Sequence, residues 1–456
     1  MLIYFSVSNF RSIRDEIALD MRAAPRLRRL SHHAVKPVEN DNLSVLRCAL
    51  MYGANASGKS NIVKAIKYAQ DLITGRTSSS NVIRTEPFKL TNKVEQDSSF
   101  YFEFATLGKR FGYGFTLNRK RIVREYFYIL GKKENTCVFT REYDEEIQEY
   151  TIESDLFEME DLDDYSQEVN DLRGLITYTS EKVLFISESI EKDLHQKLKD
   201  IGHILLPAVY FFKVQLITIF PNTSYGGIHE DVCEEDTCGS YVDILSRYDT
   251  GIDDVSIDFV SIDMFPTAMI EQAKQTLKTR KNINLSYKGN SYKFSFTDED
   301  ELIASKVITQ RILEDGSLIS FDLGEESDGT ARLFDLLPTL TSRDPDDEHS
   351  SFTYVIDEFD RSLHPNISKD LIARFLNDNM TETNSQLIVT THESNLLDSK
   401  LLRRDEIWFV QKEDDFVSSL YSLNEYSERF DKDIRNAYLN GSYGGVPYLM
   451  DKYKKA

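Results

Sequence analysis

The chain has 456 residues, 41% of them hydrophobic and 29% charged, with 76 acidic against 54 basic side chains and a formal net charge of −22. That length leaves room for two or three domains, and the composition is that of a water-soluble globular protein. The acidic balance argues against a body lined with nucleic-acid contacts, and four cysteines are too few for a disulfide framework.

Residues 2–8 alternate in hydrophobicity and predict a strand, with no cleavable apolar core of a signal peptide. A turn at 9–14 carries Arg11, Ser12 and Arg14, and 17–21 reads as a second strand. Residues 22–42 read as an irregular loop. A β-run at 45–52 leads into GANASGKS at 53–60, which fits G-x-x-x-x-G-K-[ST] at every fixed position, and a helical pattern follows at 61–72. A strand, a glycine loop and a helix in that order make a phosphate cradle. Backbone N–H groups of Ala56, Ser57, Gly58 and Lys59 wrap the phosphates, and the helix aims its positive end at them. Gly53, Asn55 and Asn61 complete the nucleotide-binding stretch. The Lys59 ammonium reaches the β- and γ-phosphates, and the Ser60 hydroxyl binds Mg²⁺.

From residue 98, SSFYFEFAT, FGYGFTLN, RIVREYFYIL and CVFTREYD predict an antiparallel meander whose aromatics form core. Residues 142–200 are acidic and mostly helical in pattern, with a dense acidic run at 155–164 that reads as a solvated face or a partner surface. Residues 201–280 read as largely helical. His229, Cys233 and Cys238 lack the second ligand pair of a zinc site. The longest apolar stretch, 207–220, holds Lys213 and is too short to span a bilayer. A hairpin is predicted around KGN at 283–296. After 301 the alternation of helix and strand returns, with helices at 330–337 and 367–376 and strands at 352–356, 386–391, 405–410 and 418–423.

Three further segments carry chemistry. SFTYVIDEFD is an apolar strand ending in two acids. Asp357 is placed to hold the metal, and Glu358 to orient or deprotonate the water that attacks the γ-phosphate. LIVTTHES ends a second such strand at His392, a candidate γ-phosphate sensor. Ser327, Asp328, Gly329 and Thr330 open a helix and form either an ordinary N-cap or a second anion site. One chain needs one triphosphate cradle, so a second suggests a cap over the nucleotide of another subunit.

The order of GANASGKS, ESDGT, YVIDEFD and VTTH resembles the ABC-type ATPases of the SMC, RecF and OLD class. SVSNFRSI resembles that class's first strand and turn, which implies Arg11 and Ser12 near adenine or phosphate. ESDGT stands where that class has LSGGQ, with Asp328 between the retained Ser and Gly, and FDRSLHP stands for its D-loop. Gln70 and Gln96 are positional candidates for its Q-loop. More narrowly, NFRS, YGANASGKSN, ESDGTARLFDLLP, DEFDRSLHP and NGSYGGVP resemble stand-alone ATPases of bacterial phage-defence operons, the RloA type and the AriA subunit of PARIS.

The expectation is an α/β ABC-type head with a mixed sheet and an antiparallel β-subdomain. It is built from residues 1–142 and 302–456 around an acidic, mostly helical insertion at 143–301. It binds ATP and Mg²⁺, forms a homo-oligomer through composite sites, and is cytoplasmic with no membrane span. The resemblance implies a separate nuclease or toxin effector released on a phage signal. About sixty residues follow His392, too few for a Toprim nuclease domain. A RecF-like ATPase clamping DNA directly is the alternative. A P-loop kinase or GTPase lacks support, since no N-K-x-D string occurs.

Overall fold

The computed structural model describes residues 1–39, 41–76, 82–90, 96–158, 166–222, 227–278, 280–339, 341, 351–377, 385–426 and 433–447. The chain divides into two units: Met1–Thr218, Asp346–Phe359 and Thr383–Ala456 form the first, and Ile219–Pro345 and Asp360–Glu382 the second.

In the first unit, seven strands form an antiparallel sheet. They are β1 (Leu2–Ser8), β2 (Ile17–Asp20), β6 (Ser98–Thr106), β7 (Lys109–Leu117), β8 (Ile122–Leu130), β9 (Thr136–Asp144) and β10 (Glu149–Glu153), in the order β10-β9-β8-β7-β6-β1-β2. The predicted meander is β6 to β9. Phe100, Phe102 and Phe104, two residues apart, share one face of β6 and are buried. Phe104 stacks on Phe211 with centroids 4.3 Å apart, and Phe102 meets Phe212 edge-on at 5.1 Å. These aromatics are core.

A small pair, β3 (Ala34–Val35) and β4 (Val45–Leu46), precedes β5 (Cys48–Tyr52). The second sheet of this unit runs β11 (Leu216–Ile219), β17 (Thr353–Ile356), β18 (Gln386–Thr390), β5, β19 (Ile407–Lys412), β20 (Ser418–Ser422). Strands β17, β18, β5 and β19 are parallel, and β20 returns antiparallel. β5, β17 and β18 are buried at every position, which is why they read as unbroken apolar runs. The buried Gln386 carboxamide joins the two sheets: Oε1 accepts from Leu2 N at 2.6 Å, and Nε2 donates to the Leu2 and Leu46 carbonyls.

Helix α1 (Lys59–Ile73) follows β5, and α2 (Ser166–Tyr178), α3 (Phe185–Glu191), α4 (Leu194–Lys197) and α5 (Lys199–Tyr210) follow β10, with α11 (Ile434–Leu439) near the end. The stretch from 166 to 210 is helical as expected, yet it belongs to the first unit. Two fully buried charges of the meander bind it. Glu125 accepts from the Phe185 and Ile186 N–H groups and from the Tyr113 hydroxyl, and Arg141 donates to the Thr179, Ser180 and Val183 carbonyls. The expected seam at 142 also falls inside β9, whose residues 140–144 pair with β10. Of the acidic run at 155–164, residues 159–164 lie outside the described residues.

The second unit holds a five-stranded antiparallel sheet: β12 (Asp254–Val260), β13 (Asn282–Tyr287), β14 (Asn290–Phe296), β15 (Leu302–Ile312) and β16 (Leu318–Asp322). Its order is β12-β15-β14-β13, with β16 also on β15. The hairpin around Lys288 and Gly289 is β13–β14. Two expectations need correction. The α/β pattern does not resume directly after 301, because 302–322 is a hairpin of this sheet, and the reading of 201–280 as largely helical omits β11 and β12. Helices α6 (Ile228–Cys233), α7 (Glu235–Arg247), α8 (Thr267–Thr276), α9 (Asp328–Leu336) and α10 (Pro365–Asn377) complete the unit. Phe265, Ala273, Leu277, Phe294 and Ala304 form its small core. Among the described residues, no helix is long and apolar enough to cross a membrane.

Candidate functional site

Because β17, β18 and β5 are parallel and paired in register, Ile356 to Val389 and Thr390 to Met51, their C-terminal ends lie side by side. Open α/β sheets place their ligands at this edge. Gly53 follows β5, Asp357 and Glu358 follow β17, and Thr391 and His392 follow β18. Three segments far apart in sequence thus meet at one edge.

The loop at 53–60 is shaped by close approach and by the backbone. Gly58 has φ +111°, and a Cβ there would lie 2.1 Å from Ser418 Oγ. A Cβ on Gly53 would lie 2.4 Å from the Val410 carbonyl oxygen. Only glycine fits either position. Ala56, at φ +62°, turns the loop tip, where Asn55 and Ala56 are exposed. Lys59 opens α1 and is buried, its ammonium donating to the Gly53 and Ala54 carbonyls at 2.7 and 3.1 Å. Ser57 Oγ is buried without a hydrogen-bond partner, a polar atom inside the cradle.

Ser60 Oγ donates to Asp357 Oδ1 at 3.0 Å, and Thr390 Oγ1 donates to the same oxygen at 2.6 Å. The Glu358 N–H in turn donates to Thr390 Oγ1 at 2.8 Å, and the Phe359 N–H to the Thr390 carbonyl. One threonine therefore orients both acids. Glu358 has φ +48°, the left-handed region that a non-glycine residue adopts only when its surroundings hold it, and such strain concentrates at functional sites. Asp357 is buried, Glu358 half-buried and His392 exposed. A hydroxyl and a carboxylate oxygen side by side are the hard oxygen donors that Mg²⁺ takes, and a glycine cradle of N–H groups suits phosphate. The residues fit both groups.

Ser12 is held at the loop's flank. Its Oγ accepts from Asn61 Nδ2 at 2.7 Å and from Ser418 Oγ at 2.8 Å, and its carbonyl accepts from Ser418 N. Ser418 Oγ is also 2.7 Å from the Ser57 carbonyl. Arg11, at φ +51°, pairs through its guanidinium with Glu86 at 2.6 Å. Gln70 is buried, its carboxamide donating to the Phe212 and Leu216 carbonyls and accepting from Thr218. It serves packing. Gln96 is exposed.

The segment Ser327, Asp328, Gly329, Thr330 belongs to the second unit. Ser327 caps α9, its Oγ accepting from Thr330 N at 3.1 Å. A Cβ on Gly329 would lie 2.8 Å from the Ser362 carbonyl oxygen, so the helix start and the FDRSLHP turn touch there. Glu326, just before it, accepts both guanidinium nitrogens of Arg311 at 2.8 and 2.9 Å and the Thr309 hydroxyl at 2.5 Å. His229 Nδ1 stands 3.8 Å from Cys233 Sγ, whereas the Cys238 thiol donates to the Val255 carbonyl. Among the described residues, no group of metal-ligating side chains forms.

Sequence reading missed Thr390 and Ser418. A polar residue at the end of an apolar strand was the available signal for the first. Nothing in the sequence pairs Ser418 with the loop 361 positions away.

A phosphate loop at the edge of a mainly parallel sheet, faced by an Asp-Glu pair from the next strand but one and flanked by an antiparallel sheet, defines a P-loop nucleotide-binding fold. The chain belongs to the family described as "AAA domain, putative AbiEii toxin, Type IV TA system", whose model matches residues 48–398. A search of curated proteins gives no significant match. Solved structures with a similar fold include an SMC head bound to the C-terminal winged-helix domain of ScpA (12% identity, TM-score 0.36, covering 92% of this chain and 97% of that one). Another is the SMC head domain of Thermotoga maritima (13%, TM-score 0.36, covering 92% and 98%).

Proposed function

We propose that the protein binds and hydrolyses ATP and uses the cycle as a conformational switch between subunits. The observation that carries this is the Ser60–Asp357–Thr390–Glu358 chain of hydrogen bonds at the mouth of the loop. Lys59 and the loop N–H groups hold the triphosphate. Ser60 and Asp357 hold Mg²⁺, which when bound offsets phosphate charge. Glu358, fixed by Thr390, orients and deprotonates the attacking water, and His392 senses the γ-phosphate. The second anion cradle, Ser327 to Thr330, closes over the nucleotide of another copy, so ATP favours the closed assembly by its contacts to both subunits.

The family's description names an AAA domain and a putative toxin of a type IV toxin–antitoxin system; the role in bacterial defence, in which the switch holds and releases a separate nuclease or toxin, is part of this proposal and rests on the resemblance of the motifs. A phage product is the trigger in this reading. Direct DNA binding has no specific support in a chain of net charge −22.

The test mixes two inactive variants, Lys59→Ala and Ser327→Arg. If sites are shared between copies, the mixture regains part of the hydrolysis that each lacks. A mixture as inactive as its components removes the shared site. Purification of the native protein tests the effector, since a nuclease should accompany it without ATP and leave with it.

A further inference from the structure

The second unit contains a partly open pocket of about 220 Å³ that the residues proposed to bind ATP do not line. Its origin lies in the sheet. Strand β15 pairs with β14 up to Ser305 and with β16 from Ile308 onward, so Lys306 and Val307 face neither strand on that edge. The notch is roofed by one face of α9, through Ala331, Phe334 and Asp335 at helical spacing. Asn290 spans it, donating to Asp322 and accepting from Gly324 N.

The wall is amphipathic, and each of its two lysines is ion-paired with a carboxylate outside it, Lys293 with Glu230 and Lys306 with Asp322. Lys293 and Lys306 line it with side chains only 14% and 16% exposed, and their carboxylate partners, Glu230, Asp258 and Asp322, are not part of the wall. Lys293 Nζ stands 3.5 Å from His229 Nδ1, and His229 Nε2 stands 2.6 Å from Ser305 Oγ. Burial and Lys293 both pull the His229 pKa down. Asp335 is the one acid in the wall, and burial raises its pKa to about 6. Val307, Leu323 and Phe334 supply an apolar side. A lining that holds two lysines and an aromatic ring suits a small molecule with an anionic head and an apolar body, smaller than the occupants of typical ~300–1,000 Å³ sites.

We propose that this cavity binds a small organic anion, a carboxylate or phosphate ester, and that its occupancy is transmitted along α9 to Ser327–Thr330. The transmission rests on the role proposed above for those residues; the binding does not.

Phenyl phosphate and benzoate serve as probes, with benzyl alcohol as the uncharged control, in calorimetric titrations of the full chain. The Lys59→Ala variant removes binding at the phosphate loop from consideration. Saturable binding of either anion to Lys59→Ala, at least tenfold tighter than benzyl alcohol, is expected. Lys293→Met and, separately, Ala331→Phe, which fills the space under α9, should each weaken it at least tenfold. No saturable binding, or binding indifferent to both substitutions, overturns the site. Hydrolysis of ATP by the wild type should change at least twofold with the bound probe, and not in Ala331→Phe. Binding without that change retains the site and overturns the link to α9. Binding in a protein that hydrolyses no ATP overturns the proposed function alone.

Discussion

The hydroxyl of Ser60 donates to Oδ1 of Asp357 at 3.0 Å, across 297 positions of sequence. This bond ties the first turn of α1 to the end of β17 and sets two oxygens side by side. Ser60→Ala and Asp357→Asn should therefore each raise the Mg²⁺ concentration for half-maximal ATP hydrolysis by at least about tenfold. A Mg²⁺ titration at fixed ATP reads this directly. An unchanged midpoint would take Asp357 out of the metal site.

Glu358→Gln keeps the shape of the side chain and its backbone bond to Thr390 while removing the base. Hydrolysis should fall about 10²–10⁴-fold with ATP affinity kept, so that a nucleotide-bound assembly accumulates on size-exclusion chromatography. Lys59→Ala should do the reverse, weakening binding first. Wild-type rates in both would end the proposed mechanism.

Thr390→Val is nearly isosteric and tests the orienting role of one hydroxyl. It leaves the Glu358 N–H without its acceptor and removes a donor from Asp357. A stability loss of about 1–3 kcal/mol is expected in urea unfolding. The turnover rate should fall more than the affinity for ATP, and Thr390→Ser should recover part of it.

Gly58→Ala combines a left-handed dihedral with a collision against Ser418 Oγ. ATP binding, followed with a fluorescent analogue, should be lost. Adding Ser418→Gly relieves the collision and leaves the dihedral, so recovery should be partial.

Asp231 is buried, and burial lifts its carboxyl from near 3.8 to about 6, with the Tyr241 hydroxyl donating to Oδ2 at 2.5 Å. A raised folded-state pKa means that its contribution is complete below about pH 3.8 and is lost as pH rises through 6. Asn can accept the same Tyr241 bond without a charge. Asp231→Asn should thus melt higher than wild type at pH 7.5, by at most about 3 kcal/mol, and show no advantage at pH 4. An advantage independent of pH would refute the ionisation argument.

Much of the head was legible because its elements have local causes. The loop at 53–60 needs glycines at fixed places, buried parallel strands appear as apolar runs, and meander strands show their alternating aromatics. The five-stranded sheet was harder to see. Its exposed edge residues, such as Leu318 and Ile319, mix with charges and give no clean period. The division of the chain was harder still, because it depends on the buried charges Glu125 and Arg141, whose partners lie about 40 to 60 residues away.

The sequence by itself singled out the residues proposed to carry the chemistry: Lys59 and Ser60 in a glycine loop, Asp357 and Glu358 after an apolar strand, His392 after another. Local pattern suffices for that, since loop shape and strand ends are set by near neighbours. Only the tertiary structure decided that Thr390 orients both acids, that Ser418 closes the loop's flank and that a cavity opens under α9. Those relations arise where strands distant in sequence are brought into register, and hydrogen bonds across such pairs leave no spacing along the chain to read.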